Sequence, residues 1–171
     1  NLLFAPLVKE FVHVEDFSDI LQRYRVEILS LNYSLFRQMK PWLERHRERW
    51  SLVYWDDQAA VYVLNSSSSA GRIGLHRYRF LRPFGDMLRL HDWANQPKNV
   101  PLIRAELARA VRERPDAQLP RYLLGLFALY TNDLSSALRA LQQAASIRPK
   151  KQVYLYLSYT LQKLQRFDEA R

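Results

Sequence analysis

Two adjacent carboxylates, Asp56 and Asp57, are the residues of this chain best placed to do chemistry. A carboxylate pair at the end of a strand can hold a divalent metal or act as a general acid and base. The same residue type also suits a tight turn, because Asp side chains accept hydrogen bonds from the local backbone. No third ligand stands near the pair in the sequence, so a structural turn is the favoured interpretation.

The remaining polar residues give no catalytic pattern. His13, Glu15 and Asp16 form a second candidate cluster, but Asp16 is equally suited to cap a helix. The four histidines show no metal-ligand spacing, and the serines at 66–69 are typical of a plain loop. No Gly-rich phosphate loop, G-x-S-x-G or H-E-x-x-H motif occurs. We therefore predict no catalytic, cofactor-binding or metal-binding residue.

Residues 1–70 alternate helix and strand patterns and predict a small α/β domain. A helix is expected from Asp16, and the Leu-rich run from Val26 to Asn32 is typical of a strand buried on both faces. Ser34 is expected to cap a second helix, which Pro41 should kink or restart. Residues 10–14 are a further candidate strand.

A β-hairpin is the clearest of these patterns. In residues 50–64, apolar and aromatic side chains alternate on both sides of a turn at Asp56–Gln58. Strict alternation would place Trp50, Leu52 and Tyr54 on one face and Trp55 on the other. The Ser-rich stretch that follows, residues 65–74, predicts a flexible surface loop because it has little apolar surface to bury.

From residue 98 onward the pattern is helical and repeats. Pairs of like residues recur 34 positions apart, namely Leu107 and Leu141, Ala110 and Ala144, and Pro115 and Pro149. Other pairs recur 33 positions apart, namely Leu124 and Leu157, Gly125 and Ser158, and Ala137 and Ala170. A period of about 34 residues with small residues at helix contacts is typical of tetratricopeptide (TPR) repeats. We therefore expect TPR helical hairpins over residues 98–171, the last one truncated. Residues 71–97 would be a connecting segment, a candidate first helix of a degenerate repeat.

The fold class predicted is thus α/β plus all-α, a small sheet domain followed by TPR hairpins. In such an array the first helices of successive repeats line a groove. Counting along the repeat places six residues there: Tyr122, Leu126, Tyr130, Leu155, Tyr159 and Lys163. This surface is apolar and aromatic, which suits a hydrophobic peptide or helix from a partner, or from another copy of the chain.

The charge is unevenly placed along the chain. Residues 1–97 carry 13 basic and 11 acidic groups, and residues 98–171 carry 13 and 6. A basic stretch interleaved with Tyr78 and Phe80 is the best candidate for binding single-stranded nucleic acid, and its basic residues are Arg72, His76, Arg77, Arg79 and Arg82. Elsewhere the basic groups are spread over several predicted helices. A solvated surface is the favoured interpretation, and nucleic acid is an unlikely partner.

The amino-acid composition excludes several classes of protein and of functional site. With 48% hydrophobic and 13% aromatic residues, the 171-residue chain is globular in type, which excludes wholesale disorder. The absence of cysteine excludes disulfides, thiolate metal sites and a cysteine nucleophile. The chain begins without Met and is interpreted as part of a longer protein.

The order of these patterns resembles the soluble C-terminal region of multi-spanning bacterial GT-C, protein-mannosyltransferase-like membrane proteins, many of which carry TPR repeats afterwards. The resemblance spans Phe17 to Phe84 and rests on three stretches: Tyr24-Arg25-Val26, Trp50 to Asp57, and Val61 to Val63. It implies a parent glycosyltransferase with membrane spans upstream of Asn1. The catalytic carboxylates of such a family lie in membrane-proximal loops near its start, to which no part of this chain corresponds.

The function expected is that of a non-catalytic accessory and interaction region, extracytoplasmic (periplasmic), in a larger membrane-embedded protein. Its partners would be a protein or peptide in the groove, or a second copy, and it would reach a membrane only through the rest of its parent. Two alternatives stay open. One is an α/β enzyme domain that binds a sugar or nucleotide at the strand ends, and the other is a cytosolic TPR adaptor.

Overall fold

The computed structural model of the chain describes residues 16–66, 69–81 and 87–169. The chain divides into two compact units, one ending at Arg79 and the other beginning at Phe80. The first unit therefore extends past residue 70, where the sequence suggested that the first domain ends. The candidate strand at residues 10–14 lies outside the described residues.

The first unit contains a three-stranded antiparallel sheet and three helices among its described residues. These are α1 Asp16–Arg23, β1 Ile28–Asn32, α2 Tyr33–Arg45, β2 Trp50–Trp55, β3 Ala59–Leu64 and α3 Ala70–His76. The strand order is β1–β3–β2, and both pairings are antiparallel. The predicted mixture of a small sheet with helices, including the hairpin of β2 and β3, is confirmed.

Strand β1 is half-buried, so the prediction of a strand buried on both faces is wrong. Its side chains alternate, with Leu29 and Leu31 buried and Ile28 exposed. Helix α2 packs against β1 and β3, and the alternation follows because successive strand side chains point to opposite faces.

Helix α2 starts and continues differently from the sequence expectation. Asn32, not Ser34, is the N-cap, since its Oδ1 accepts a hydrogen bond from the Leu35 N–H at 3.0 Å. The helix runs unbroken through Pro41, although proline cannot donate to the carbonyl four residues earlier. The buried Trp42 and Leu43 directly after the proline anchor this part of the helix in the core.

A β-bulge in β2 changes which of its side chains are buried. The pairing with β3 shifts register between Leu52 and Tyr54, so Val53 has no direct partner. An extra residue reverses the alternation beyond it. Trp55, predicted to face away from Trp50, is therefore buried like Trp50.

The predicted flexible loop over residues 65–74 is wrong in its second half. Ala70–His76 form α3, whose Ile73 is buried. Before this helix the Ser69 hydroxyl donates to the Leu64 carbonyl at 2.7 Å. Beyond it the Tyr78 N–H donates to the Leu52 carbonyl at 2.8 Å. These contacts explain why the first unit reaches Arg79.

The second unit is helical in all of its described elements. They are α4 Met87–Ala94, α5 Val100–Glu113, α6 Gln118–Tyr130, α7 Leu134–Ile147 and α8 Lys151–Glu169. From α5 to α8 each helix packs against the next, and α6 also contacts α4 and α8. Both ends of α7 lie 34 residues after those of α5, and α8 begins 33 residues after α6. The helical half of the predicted fold class is confirmed, and its helix boundaries repeat.

Candidate functional site

A very close helix contact in the second unit joins α6 to α7. Gly125 packs against Leu141 so tightly that no side chain would fit between them. At the end of the hairpin away from the connecting turn, the buried Gln118 amide donates to the Ala144 carbonyl at 2.9 Å and also to the Arg148 carbonyl. Both carbonyls lie at the C-terminal end of α7. The α6–α7 hairpin is therefore held at its middle and at its open end.

Three tyrosines connect α6 to α8. The ring centroids of Tyr122 and Tyr156 are 6.0 Å apart. Burial, together with Tyr156 and Tyr130, raises the pKa of Tyr122. Burial and the neighbouring Tyr156 raise the pKa of Tyr130 to about 12. The hydroxyls of Tyr122 and Tyr130 are therefore expected to be neutral at physiological pH, and these side chains act in packing rather than as an acid or base.

The six residues predicted to line a groove fall into two groups. Tyr122 and Leu126 are buried, and Tyr130 is half-buried with the His91 ring 5.4 Å from its own. On α8, by contrast, Leu155 and Tyr159 are exposed and Lys163 is half-buried. Tyr122 and Leu126 are thus not available to a partner in this structure, because α7 and α8 cover α6.

Helix α8 carries an exposed apolar face. Four large side chains on it are 46–64% exposed: Tyr154, Leu155, Tyr159 and Leu161. The opposite side of the helix is buried through Val153 and Thr160. We call the four exposed residues, together with Ser158 between them, the α8 face.

The repeat relates the α8 face to buried positions of α6. Thirty-three residues before Leu155, Ser158, Tyr159 and Leu161 stand Tyr122, Gly125, Leu126 and Ala128. All four of these earlier residues are buried. In α6, Gly125 meets Leu141 of α7, and Ala128 belongs to a buried cluster with Ala137 of α7. The α8 face therefore occupies the helical positions that α7 helps to cover on α6.

The α8 face offers apolar contact rather than chemistry. The Ser158 hydroxyl donates within its own helix, to the carbonyls of Tyr154 and Leu155 at 2.9 and 3.1 Å. Lys163 lies beside the face, with its Nζ 5.2 Å from the Tyr159 ring centroid, within cation–π range. A ligand of this face would gain binding energy by burying apolar side chains.

The Asp56 carboxylate stabilises the hairpin turn through hydrogen bonds. Oδ1 of the buried Asp56 accepts hydrogen bonds from the Gln58 and Ala59 N–H groups at 2.7 and 3.0 Å. Its Oδ2 accepts one from the Tyr54 hydroxyl at 2.7 Å. Within the described ranges, no three His, Asp or Glu residues are grouped closely enough to hold a metal ion. The geometry of Asp56 is that of a turn-forming carboxylate.

The basic and aromatic stretch around Tyr78 does not form a stacking platform. Tyr78 is buried, with its ring 6.1 Å from that of Trp55 in an edge-on contact. Phe80, in the second unit, is half-buried and packs edge-on against Trp93 at 6.1 Å. Both rings are therefore used inside the protein, which removes the feature that suggested binding of nucleic acid bases.

Two residues of the α8 face, Tyr154 and Leu161, were not predicted from the sequence. Their equivalents one repeat earlier, Arg121 and Ala128, are not large apolar residues. Comparing the two copies position by position would have revealed the gain in apolar character. That gain in apolar character is a sequence difference that distinguishes α8 from α6.

None of the described helices is both long enough and apolar enough to cross a bilayer. Comparison of the chain with protein-family models and with curated proteins finds no match.

Proposed function

We propose that this chain is a non-catalytic protein-interaction region whose second unit binds an amphipathic helix on the α8 face. One observation carries the proposal. Four large apolar side chains of α8 are exposed at or beside the positions that a following helix covers on α6. Burying the exposed half of these side chains would contribute roughly 3–6 kcal/mol before the costs of association are subtracted.

The internal repeat indicates what kind of ligand fits. Helix α7 packs on α6 at Gly125 and Ala128, the positions equivalent to Ser158 and Leu161 of the α8 face, so a helix similar to α7 is the occupant that fits. It would present leucine and alanine side chains, as α7 does with Ala137, Ala140, Leu141 and Ala144. A synthetic peptide with the sequence of residues 133–148 is therefore the probe of choice.

The test measures binding of this labelled peptide to the whole chain by fluorescence anisotropy. Leu155→Ser and Leu161→Ser should each weaken the affinity about tenfold, because each removes one buried apolar side chain. Leu75→Ser is the matched control, since Leu75 is also an exposed leucine but lies in the first unit. Unchanged affinity in both α8 variants, or an equal loss in Leu75→Ser, would contradict the proposal.

A substitution at Ser158 should strengthen binding of the peptide, whereas the two leucine substitutions should weaken it. The equivalent of Ser158 in α6, Gly125, allows Leu141 to approach closely, and a serine at that position holds the incoming helix further away. Ser158→Gly should therefore strengthen binding of the peptide, whereas Ser158→Leu should abolish it. Weaker binding by Ser158→Gly in a protein of unchanged helix content would show that the peptide does not dock as α7 does.

We further propose that the helices are TPR-like repeats of a larger, membrane-embedded glycosyltransferase-like protein, with this region extracytoplasmic. The 34- and 33-residue spacing of the helix boundaries supports the first part. The order of sequence patterns from Phe17 to Phe84 supports the second. Alkaline phosphatase fused after Arg171 of the full-length protein should be active. An inactive phosphatase, with a fluorescent fusion that matures in the cytoplasm, would favour the cytosolic adaptor.

A further inference from the structure

A cavity of about 300 Å³ lies in the first unit, lined by α1, the α1–β1 turn, α2 and the ends of the β2–β3 hairpin. Its apolar wall is formed by the buried Leu21, Val26, Trp42 and Trp50. Polar and charged side chains complete the lining, namely Ser18, Gln22, Arg25, Glu27 and Arg49. One wall that is apolar and aromatic, with a few polar groups around it, is the usual composition of a small-molecule site.

The aromatic wall is held in place before any ligand binds. The Trp42 indole N–H donates to the Ser18 hydroxyl at 3.0 Å. The Phe17 ring meets the indole edge-on at 5.1 Å, and the His46 ring stacks on it at 4.4 Å. A ring fixed on three sides loses little freedom when a ligand binds, which favours affinity.

Arg25 enters the cavity lining from a strained backbone position. Its φ of 47° is left-handed, and it is the second residue after α1, the position after the helix C-cap, where glycine is usual. The Val26 N–H donates to the Leu21 carbonyl at 2.9 Å and the Arg25 N–H to the Gln22 carbonyl at 3.1 Å, the two bonds of a Schellman motif. Glycine would adopt this conformation without a steric penalty. An arginine here costs stability and places a guanidinium at the cavity.

The two arginines of the cavity are not neutralised within the described residues. No described carboxylate lies within ion-pair distance of Arg25 or Arg49, whereas Arg104 contacts Asp133 at 3.0 Å. Among the described lining residues Glu27 is the single acidic one, so their side chains carry a net positive charge. Unpaired guanidinium groups beside an apolar wall suit an oxyanion attached to an apolar group.

We propose that this cavity binds a small organic oxyanion, a phosphate monoester or carboxylate carried on an apolar ring. The oxyanion would lie at Arg25 and Arg49, and the ring would lie against Trp42 and Trp50. This site belongs to the first unit and is independent of the α8 face.

The test follows the Trp42 indole N–H resonance of the whole chain by NMR during titration with phenyl phosphate, benzoate, inorganic phosphate and benzyl alcohol. Saturable shifts are expected with phenyl phosphate or benzoate, and the stronger of the two identifies the preferred oxyanion. Inorganic phosphate and benzyl alcohol should each bind at least tenfold more weakly, since each lacks one half of the ligand. Equal binding of either half alone, or no shift with any probe, would overturn the proposal.

Arg25→Gly distinguishes an effect on binding from an effect on folding, because it should stabilise the fold and at the same time weaken binding of the ligand. It should raise the thermal midpoint by relieving the left-handed strain, yet weaken the affinity about tenfold by removing a charge-assisted hydrogen bond. Arg49→Gln should weaken binding to a similar extent. Asn132→Gly, at φ 59° in the second unit, relieves the same kind of strain, and Arg23→Gln removes one positive charge from α1. Binding unchanged in Arg25→Gly, or weakened equally in either control, would overturn the proposal.

Discussion

A Cβ atom placed on Gly125 would lie 2.7 Å from Cγ of Leu141 and 3.3 Å from the Leu141 backbone nitrogen. Carbon atoms in contact normally lie about 3.5–4.0 Å apart. Helices α6 and α7 are therefore closer at this point than any residue other than glycine allows. Gly125, a small residue at an equivalent position of the sequence repeat, thus allows Leu141 to pack directly against the α6 backbone.

Gly125→Ala should destabilise the second unit by about 1–3 kcal/mol, because the added methyl group forces the two helices apart. The penalty should exceed the gain of about 1 kcal/mol that alanine normally brings to a helix. Gly74→Ala is the matched control, since no atom lies within 4 Å of its added Cβ. We expect this control to be neutral or stabilising in thermal unfolding followed by circular dichroism. Stabilisation by both substitutions would show that the close approach is absent in solution.

Asp133 links α5 to the start of α7. Its Oδ1 accepts the Ser136 N–H at 3.2 Å, and its Oδ2 accepts a hydrogen bond from Arg104 at 3.0 Å. Asp133→Ala should cost about 1 kcal/mol through loss of the helix cap. Asp133→Asn keeps the cap and loses only the charge interaction, so it should cost less.

The cost of Asp133→Asn should depend on pH. Burial alone would raise the pKa of Asp133, but hydrogen bonds from Ser136 and the Arg104 charge outweigh it and lower the pKa below 3.8. A lowered folded-state pKa contributes stability above pH 3.8 that is lost as the pH falls through the folded value. Urea denaturation should show the largest difference between wild type and Asp133→Asn near neutral pH. A difference that persists unchanged in acid would contradict this.

The tyrosine cluster should make the second unit sensitive to alkali. The pKa of Tyr130 is raised from 10.0 to about 12, so between these values the unfolded chain releases a proton that the folded chain retains. Stability is therefore complete below pH 10 and is lost as the pH rises toward 12. Tyr130→Phe should flatten this loss in chemical denaturation measured at several pH values, whereas the exposed Tyr159→Phe should not.

Tyr122→Phe should stabilise the protein at neutral pH. The Tyr122 hydroxyl is buried without a hydrogen-bond partner among the described residues. Removing an unsatisfied buried polar group recovers its desolvation penalty, about 1 kcal/mol or more. The comparison is a urea titration of both proteins, and a less stable Tyr122→Phe would mean that the hydroxyl is satisfied in solution.

Asp56 and Asp57 should respond differently to substitution. Asp56→Ala removes three hydrogen bonds from the hairpin turn and should cost about 1–3 kcal/mol. Asp56→Asn retains the Oδ1 acceptor and should cost less, as should Asp57→Ala at a more exposed position. Equal costs for Asp56→Ala and Asp57→Ala in thermal unfolding would contradict the assigned role.

Sequence patterns predicted correctly those elements whose contacts are between residues close together in the chain. The β2–β3 hairpin follows from alternation around an Asp-rich turn, since both strands and the turn lie within 15 residues. The bulge at Val53 was not foreseen, because it exists only in the pairing with β3. The continuity of α2 through Pro41 was also missed, since the packing of Trp42 is a tertiary contact.

The interaction surface shows the same limit. The repeat spacing makes Tyr122 equivalent to Leu155 and Leu126 equivalent to Tyr159. From the spacing alone, both pairs are expected to be equally exposed. The difference in exposure arises from the neighbouring helices, since α7 and α8 pack on α6, where Tyr122 and Leu126 are buried. Strain at Arg25 is likewise a backbone property, and an arginine in a polar stretch gives no sign of it.

The strand order β1–β3–β2 also sets an order of folding events. Strands β2 and β3 are joined by a short turn, so their hairpin closes at little entropic cost. Strand β1 pairs with β3 only across α2 and β2, as in Leu29 with Tyr62, and such distant pairings form slowly. On a ribosome, which delivers the chain from its N-terminus, β1 emerges before β3, so the backbone of β1 stays without its strand partner until β3 follows.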